Sequence, residues 1–202
     1  MARRRKHLSE QDDRTKGDVW TFCALDADSK LVPCYKVGKR NALTAAAFIA
    51  DLSSRLRNRI QLSSDAWVGY GEVVEQVFGT GVDYGQIVKS YEVAEKPPQR
   101  RYSPPMLVNV TKKWMAGNPN PRLISTSYVE RLNATTRHHM KRLARLTLAF
   151  SKKLENFEAA VGLHFFYYNF CKIHKSIRCT PAMAANVERG ILSVGDLVDM
   201  MG

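Results

Sequence analysis

Between Asp18 and Tyr91 the spacing of apolar residues changes repeatedly, and that succession constrains the fold more than any other feature of the chain. DVWTFCAL, from Asp18, is rich in β-forming residues and reads as a strand. Asp26-Ala27-Asp28-Ser29 has turn chemistry, and KLVPCYKV (30–37) reads as the returning strand, with Pro33 marking an edge or a bulge. Ala45, Phe48, Ile49, Leu52 and Leu56 then recur at three- and four-residue steps, the period of a helix, with Asn41 placed as N-cap. Arg59 to Leu62 is a short strand running into Ser63-Ser64-Asp65. A helix over about Val68 to Phe78, stopped by Gly79, and a strand over Tyr84 to Tyr91 follow. Strands first, then helix and strand in alternation, predict an α/β chain with a mixed sheet covered by helices.

From Glu92 to Ile124 the periodicity fails. Six prolines (97, 98, 104, 105, 119 and 121) interrupt it, and Arg100-Arg101 and Lys112-Lys113 add charge. The expectation is a loop insertion at about 92–124, functional or disordered, whose middle, Leu107 to Trp114, has the composition of a hairpin strand. Two helices follow: one from Ser125–Ser127 through Glu130 towards Leu146, another over about Ser151 to Ile173. A short helix at Val194 to Met200 ends the chain. Residues 1–17 read as a disordered basic arm and 18–202 as one domain. The resulting order is strand, strand, helix, strand, helix, strand, long loop, helix. It is the ribonuclease-H-like order with its first strand missing, extended by C-terminal helices.

Lys and Arg total 31 against 19 Asp and Glu, a formal net charge of +12 and a pI near 9.7. Such a surplus favours a polyanionic partner through phosphate contacts, although a merely soluble basic protein has the same balance. Cys23, Cys34, Cys171 and Cys179 form no C-x-x-C pair and read as free thiols in a reducing compartment. His164, Cys171, His174 and Cys179 can be written as a zinc set, but their spacing matches no standard finger. No apolar run approaches the ~20 residues of a membrane span. The basic start MARRRKH is not followed by the apolar core of a secretory signal, so the expected location is cytoplasmic.

Two carboxylates stand out. Asp65 follows a short strand directly, where open α/β sheets present ligands at their carboxyl edge. Two-metal phosphoryl transfer needs carboxylates converging on ions ~3.5–4 Å apart, and Mg²⁺ prefers such hard oxygen ligands. A simpler role for Asp65 is to cap the following helix. Glu130 shares a helical stripe with Asn133, Arg137 and Lys141, continued by Arg145, while Val129, Leu132, Met140 and Leu143 occupy a face suited to the core. That stripe suits a scissile phosphate at Glu130 with a DNA backbone tracking the cations, and equally an ordinary solvated face. His138 and His139 lie near it and receive no role. Asp26 and Asp28 read as turn formers.

GDVWTFCALDADSKLV (17–32), RIQLSSDAW (59–67), STSYVERLNATTR (125–137), FSKKLEN (150–156) and YNFCKIHKSIRCTPAMAA (168–185) together resemble the DDE-type transposases of the first insertion-sequence family. The resemblance spans roughly Gly17 to Met201. It implies a ribonuclease-H-like fold, dependence on Mg²⁺ (or Mn²⁺), and DNA cleavage and strand transfer at transposon ends. Asp65 corresponds to the second catalytic aspartate and Glu130 to the catalytic glutamate, both metal ligands, with Arg131, Arg137, Lys141 and Arg145 as DNA contacts. The expected partners are transposon ends and target DNA, and a further copy of the chain or an intact transposase in a mixed oligomer.

Several departures temper the match. The first aspartate of the family belongs to a D-E-x-W strand ahead of G-D-V-W, and only MARRRKHLSEQDDRTK stands there. Asn41 replaces an aspartate usual in relatives, and Ala66-Trp67 follows Asp65 where relatives have Gly-His. The family's zinc ribbon and helix-turn-helix are also absent. The expectation is therefore an N-terminally truncated catalytic region, silent by itself, with a non-catalytic DNA-binding or transposase-interacting protein as the alternative. An unpaired edge on the strand at 18–25 would favour self-association.

Overall fold

The computed structural model describes residues 18–92, 106–144, 148–149 and 151–200. The chain divides into two compact units, Asn41–Ser127 and Met1–Arg40 together with Tyr128–Gly202. Both helices and strands are present, and the largest sheet is a three-stranded mixed one flanked by helices. No helix among the described residues is long and apolar enough to cross a membrane.

In the unit of residues 41–127, helix α1 (Ala42–Ser54) opens as the sequence implies: Asn41 is extended and its Oδ1 accepts the Thr44 amide at 3.0 Å. Ala45, Phe48, Ile49 and Leu52 are buried, the stripe read from their spacing. Strand β3 (Ile60–Asp65) and strand β4 (Val82–Glu92) run parallel, from Ile60 opposite Val82 to Asp65 opposite Ile87, joined by α2 (Val68–Phe78). β4 then pairs antiparallel with β5 (Met106–Ala116), giving the order β3-β4-β5.

β5 occupies much of the segment expected as loop, and it contains the Leu107–Trp114 run. Its residues 106–115 are exposed on both faces, so no two-residue alternation of apolar and polar side chains announces it. After β5 the chain turns at Gly117, whose φ is +66°. A Cβ there would stand 2.3 Å from Asp83 Oδ1 and 2.5 Å from the Val82 carbonyl. The tightness follows from a clamp: Arg59 grips Asp83 with two hydrogen bonds (2.6 and 3.0 Å), and the Asn118 amide donates to the same carboxylate at 2.7 Å. With these partners the Asp83 carboxyl is held down at about 2.

In the other unit, β1 (Trp20–Cys23) and β2 (Tyr35–Gly38) form an antiparallel hairpin, each pairing only with the other among the described residues. Asp26 acts as the turn former: its carboxylate accepts the Ser29 hydroxyl and the Ser29 amide (3.0 Å), and Lys30 closes the turn at φ +63°. Burial works against the Asp26 charge, yet these bonds hold its carboxyl below the ordinary value.

The returning strand is shorter than 30–37. Pro33 has no amide to give, and Val32 is paired instead with the side chain of Asn169, which donates to its carbonyl at 2.9 Å and accepts its amide at 3.0 Å. Val32, Val37, Leu132, Met140, Val161, Phe165 and Tyr168 form the core of this unit.

Helix α3 spans Ser127–His139 and does not continue to Leu146. Met140 leaves the helix in extended geometry (φ −109°, ψ 100°) to sit in that core, and a single 3₁₀ turn, Lys141–Leu143, follows. Tertiary burial overrides the helix-forming character of Met140 to Ala144. Helix α4 (Leu154–Phe166) passes into a π turn (Tyr167–Cys171), close to the expected 151–173, and α5 (Pro181–Ala184) and α6 (Val194–Asp199) complete the chain.

Candidate carboxylate site

Asp65 is the last residue of β3, at the carboxyl end of a parallel strand, and it is exposed. Its Oδ1 accepts the Trp67 amide at 3.3 Å, so the side chain ties the turn that leads into α2. The N-cap of α2 is Trp67, whose ring meets Tyr70 edge-on at 5.0 Å, and no side chain caps that helix. Asp65 thus holds the start of α2 through the amide of the N-cap residue itself.

Behind Asp65 runs a chain of hydrogen bonds. Ser64 Oγ donates to the Asp65 carbonyl at 2.7 Å, which commits its single proton. Tyr84 Oη, 2.7 Å from Ser64 Oγ, must then donate to it, and Gln86 Nε2 donates to Tyr84 Oη at 2.7 Å. Tyr84 is 1% exposed. Its phenol is pushed up by burial, the bond from Gln86 pulling the other way and the Asp65 charge adding to the rise. Tyr84 and Gln86 share one face of β4, and the parallel register sets them beside Leu62 and Ser64. Nothing in the linear spacing of these residues announces the chain, because the pairing register joins positions some twenty residues apart. Next to it, an open cavity of about 980 Å³ is lined by Arg59, Glu72, Glu75, Gln86 and Lys113, none of which was singled out from sequence except Lys113 as part of a basic pair.

Glu130 is exposed in the first turn of α3, where a negative charge complements the helix dipole. The start of α3 is held by the β1–β2 hairpin: the Lys30 ammonium lies 4.1 Å from the centre of the Tyr128 ring, and the Cys23 thiol donates to Asn133 Oδ1 at 3.4 Å. Burial pushes that thiol up to about 12, an unreactive group. All four cysteines are free.

Arg131 and Arg137 are exposed on α3. Lys141 is exposed as well but lies past the helix end, so the stripe from Glu130 through Asn133 and Arg137 stops at His139 instead of reaching it. Arg145 lies outside the described residues. The continuous cation track expected along one helix is therefore corrected to the stretch on α3.

Asp65 and Glu130 belong to different units, and each is positioned by its own surroundings. Among the described residues no three His, Cys, Asp or Glu side chains gather as a metal-binding group, His164, Cys171, His174 and Cys179 included. The oxygen chemistry of Asp65 and Glu130 suits Mg²⁺.

No family model, curated protein or solved structure matches the chain.

Proposed function

We propose that the chain is the catalytic region of a DDE-type insertion-sequence transposase, acting on DNA, and that these 202 residues taken by themselves are catalytically silent. The finer fold belonging to this reading is ribonuclease-H-like. The observation that carries it is the placement of Asp65: the residue aligned by resemblance with a catalytic aspartate ends a parallel strand at its carboxyl edge, braced from below by Ser64, Tyr84 and Gln86. In support, Glu130 projects from the exposed first turn of α3, and the elements as far as β4 follow the expected succession, with β5 added and β1–β2 forming a sheet of its own.

Under this reading Asp65 and Glu130 are Mg²⁺ (or Mn²⁺) ligands that need a third carboxylate, the one borne in the family on a D-E-x-W strand. No such string occurs in the 202 residues. Arg131, Arg137 and Lys141 contact the DNA backbone without reading bases, and transposon ends and target DNA are the partners.

The deciding experiment incubates the chain with Mg²⁺ or Mn²⁺ and DNA carrying matched transposon ends, with and without a fused segment bearing the D-E-x-W strand. Cleavage should appear only in the fusion and vanish on Asp65→Asn or Glu130→Gln. Cleavage by the unfused chain that is lost in Glu130→Gln would refute the silence and keep the enzyme. An inert fusion that still binds DNA would favour the alternative, a non-catalytic DNA-binding or transposase-interacting protein. Binding itself should be sequence-indifferent and weaken steeply between low and high salt, as counterion release requires.

A further inference from the structure

β5 pairs on one side alone among the described residues, with β4. It is an eleven-residue edge, where β1 offers only four residues, and its large apolar side chains are well exposed: Met106 by 67%, Val108 by 61% and Trp114 by 63%. An edge strand presents a row of backbone N–H and C=O groups to any chain able to pair with it, and proteins commonly guard such edges with proline or lysine. β5 contains no proline. Its two lysines, Lys112 and Lys113, sit together towards one end, leaving Met106–Thr111 uncharged, and Lys112 is drawn aside to donate to the Pro121 carbonyl.

We propose that this edge pairs antiparallel with the same edge of a second copy of the chain, about a two-fold axis through Val110, so that two three-stranded sheets become one. In that register Val110 faces Val110, Asn109 faces Thr111, Val108 faces Lys112, Leu107 faces Lys113 and Met106 faces Trp114. Directly opposed side chains lie about 4.5–5.5 Å apart, close enough for each pair to count. Each lysine lays its methylenes along an aliphatic neighbour, the amide of Asn109 meets the hydroxyl of Thr111, and no like charges meet.

The other symmetric registers oppose lysines or match less of the strand: an axis at Asn109 pairs only Met106–Lys112, and axes nearer Met106 pair less still. An axis at Lys112 or Lys113 sets a lysine against itself, and one at Thr111 makes the two Lys112 side chains diagonal neighbours. Self-complementarity of this kind is the requirement of a two-fold interface, and it is the reason a second copy is the occupant. The contact is a strand edge, well below the roughly 1,600 Å² of a standard stable interface, so the dimer should dissociate at tens of micromolar. The inference is independent of the DNA reading.

Sedimentation equilibrium of the full chain, from about 1 to 200 µM at about 0.15 M salt, tests it. The expected behaviour is a monomer–dimer equilibrium. Val110→Lys opposes two ammonium groups at the axis and should weaken the dimer about tenfold. Val108→Glu sets a carboxylate against Lys112 of the second copy, twice per dimer, and should tighten it about fivefold in a parallel series at about 0.02 M salt. Far-UV circular dichroism checks that both variants fold, and Val108→Glu decides the matter if Val110→Lys does not. A monomer throughout, a dimer indifferent to both changes, or one weakened by both would overturn the proposal. So would association seen only on added duplex DNA, which would make the ribbon a nucleic-acid surface.

Discussion

Replacing Asn169 tests how the hairpin unit is held. Its amide bonds both backbone groups of Val32, and both residues are buried, Val32 at 3% exposure and Asn169 at 7%. Asn169→Leu keeps the approximate volume and leaves a buried N–H and a buried C=O without partners. Each such group costs about 1–3 kcal/mol, so a loss of roughly 3–4 kcal/mol is expected, a large share of the ~5–15 kcal/mol that holds a typical protein. At about 2–4 °C per kcal/mol for a chain of this size, the melting temperature should fall by about 10 °C. Asn169→Asp separates the two bonds. A carboxylate still accepts the Val32 amide but cannot donate to the carbonyl, and its burial raises its pKa; once protonated it restores the donor. Urea melts at pH 7 and pH 5 should therefore show the Asn169→Asp variant recovering part of its deficit at the lower pH, relative to the parent chain, while the Asn169→Leu variant does not. A loss under about 1 kcal/mol for Asn169→Leu would refute the pairing as a major tie on Val32, beside the backbone bonds of Lys30, Leu31 and Cys34.

Three further outcomes follow from the geometry. His164 is pushed down to about 4 by burial, with His139 and Lys172 adding repulsion. Because its folded value lies below the 6.5 of an unfolded chain, the unfolded state takes up the proton first, and stability should be full above pH 6.5 and decline as pH falls towards 4. With the ring half-exposed the effect is about 1 kcal/mol, and His164→Gln should flatten that part of a stability–pH profile. Asp83, held at about 2, acts lower: its contribution is present above about pH 4 and lost as pH falls through 2, a step that acid titration of the Arg59→Met variant should show reduced, with the Asn118 amide still in place. Gly117→Ala should destabilise by more than about 2 kcal/mol, from its positive φ and its contact with Asp83, and a melting temperature equal to that of the parent would disprove the crowding.

Local chemistry was the part of the fold most legible in sequence. Asn41 caps α1 and Gly79 follows α2 as read, because caps and stop signals act within one turn of the chain. Strand ends were less legible. The regular ladder of the strand at 30–37 covers only Tyr35–Gly38: Leu31 and Cys34 still accept the Asp26 and Ala24 amides, but Asn169, 137 residues away, takes over the backbone of Val32. The end of α3 is set by Met140 entering a core assembled from three separate segments, and no pattern within residues 125–146 encodes that competition. β5 was half-legible: its composition is that of a strand, but a ribbon exposed on both faces has no buried side to impose alternation. The division at residue 40 is marked by no linker-like run, and the Gly- and Pro-containing stretch before residue 127 reads as the end of the expected loop, so a single domain over 18–202 is what the sequence implies.

For the candidate site the same distinction decides which residues the sequence could supply. Asp65 is recognisable because the run from Arg59 has the length of a strand and the carboxylate falls at its end. What makes that position usable is tertiary. The Asp65 carbonyl is fixed by Ser64, Ser64 by Tyr84 and Tyr84 by Gln86, so the backbone beneath the carboxylate is held from the sheet interior while the carboxylate itself accepts the Trp67 amide at its rim. Tyr84→Phe breaks the chain at its centre and leaves both Ser64 and Gln86 short of a partner, so it should disturb Asp65 without touching its charge. Glu130 is oriented differently, by a helix that is itself fixed through its neighbours, Tyr128 by Lys30 and Asn133 by Cys23. Each carboxylate is thus oriented by a separate local structure, the sheet of residues 41–127 for Asp65 and the hairpin-braced helix α3 for Glu130.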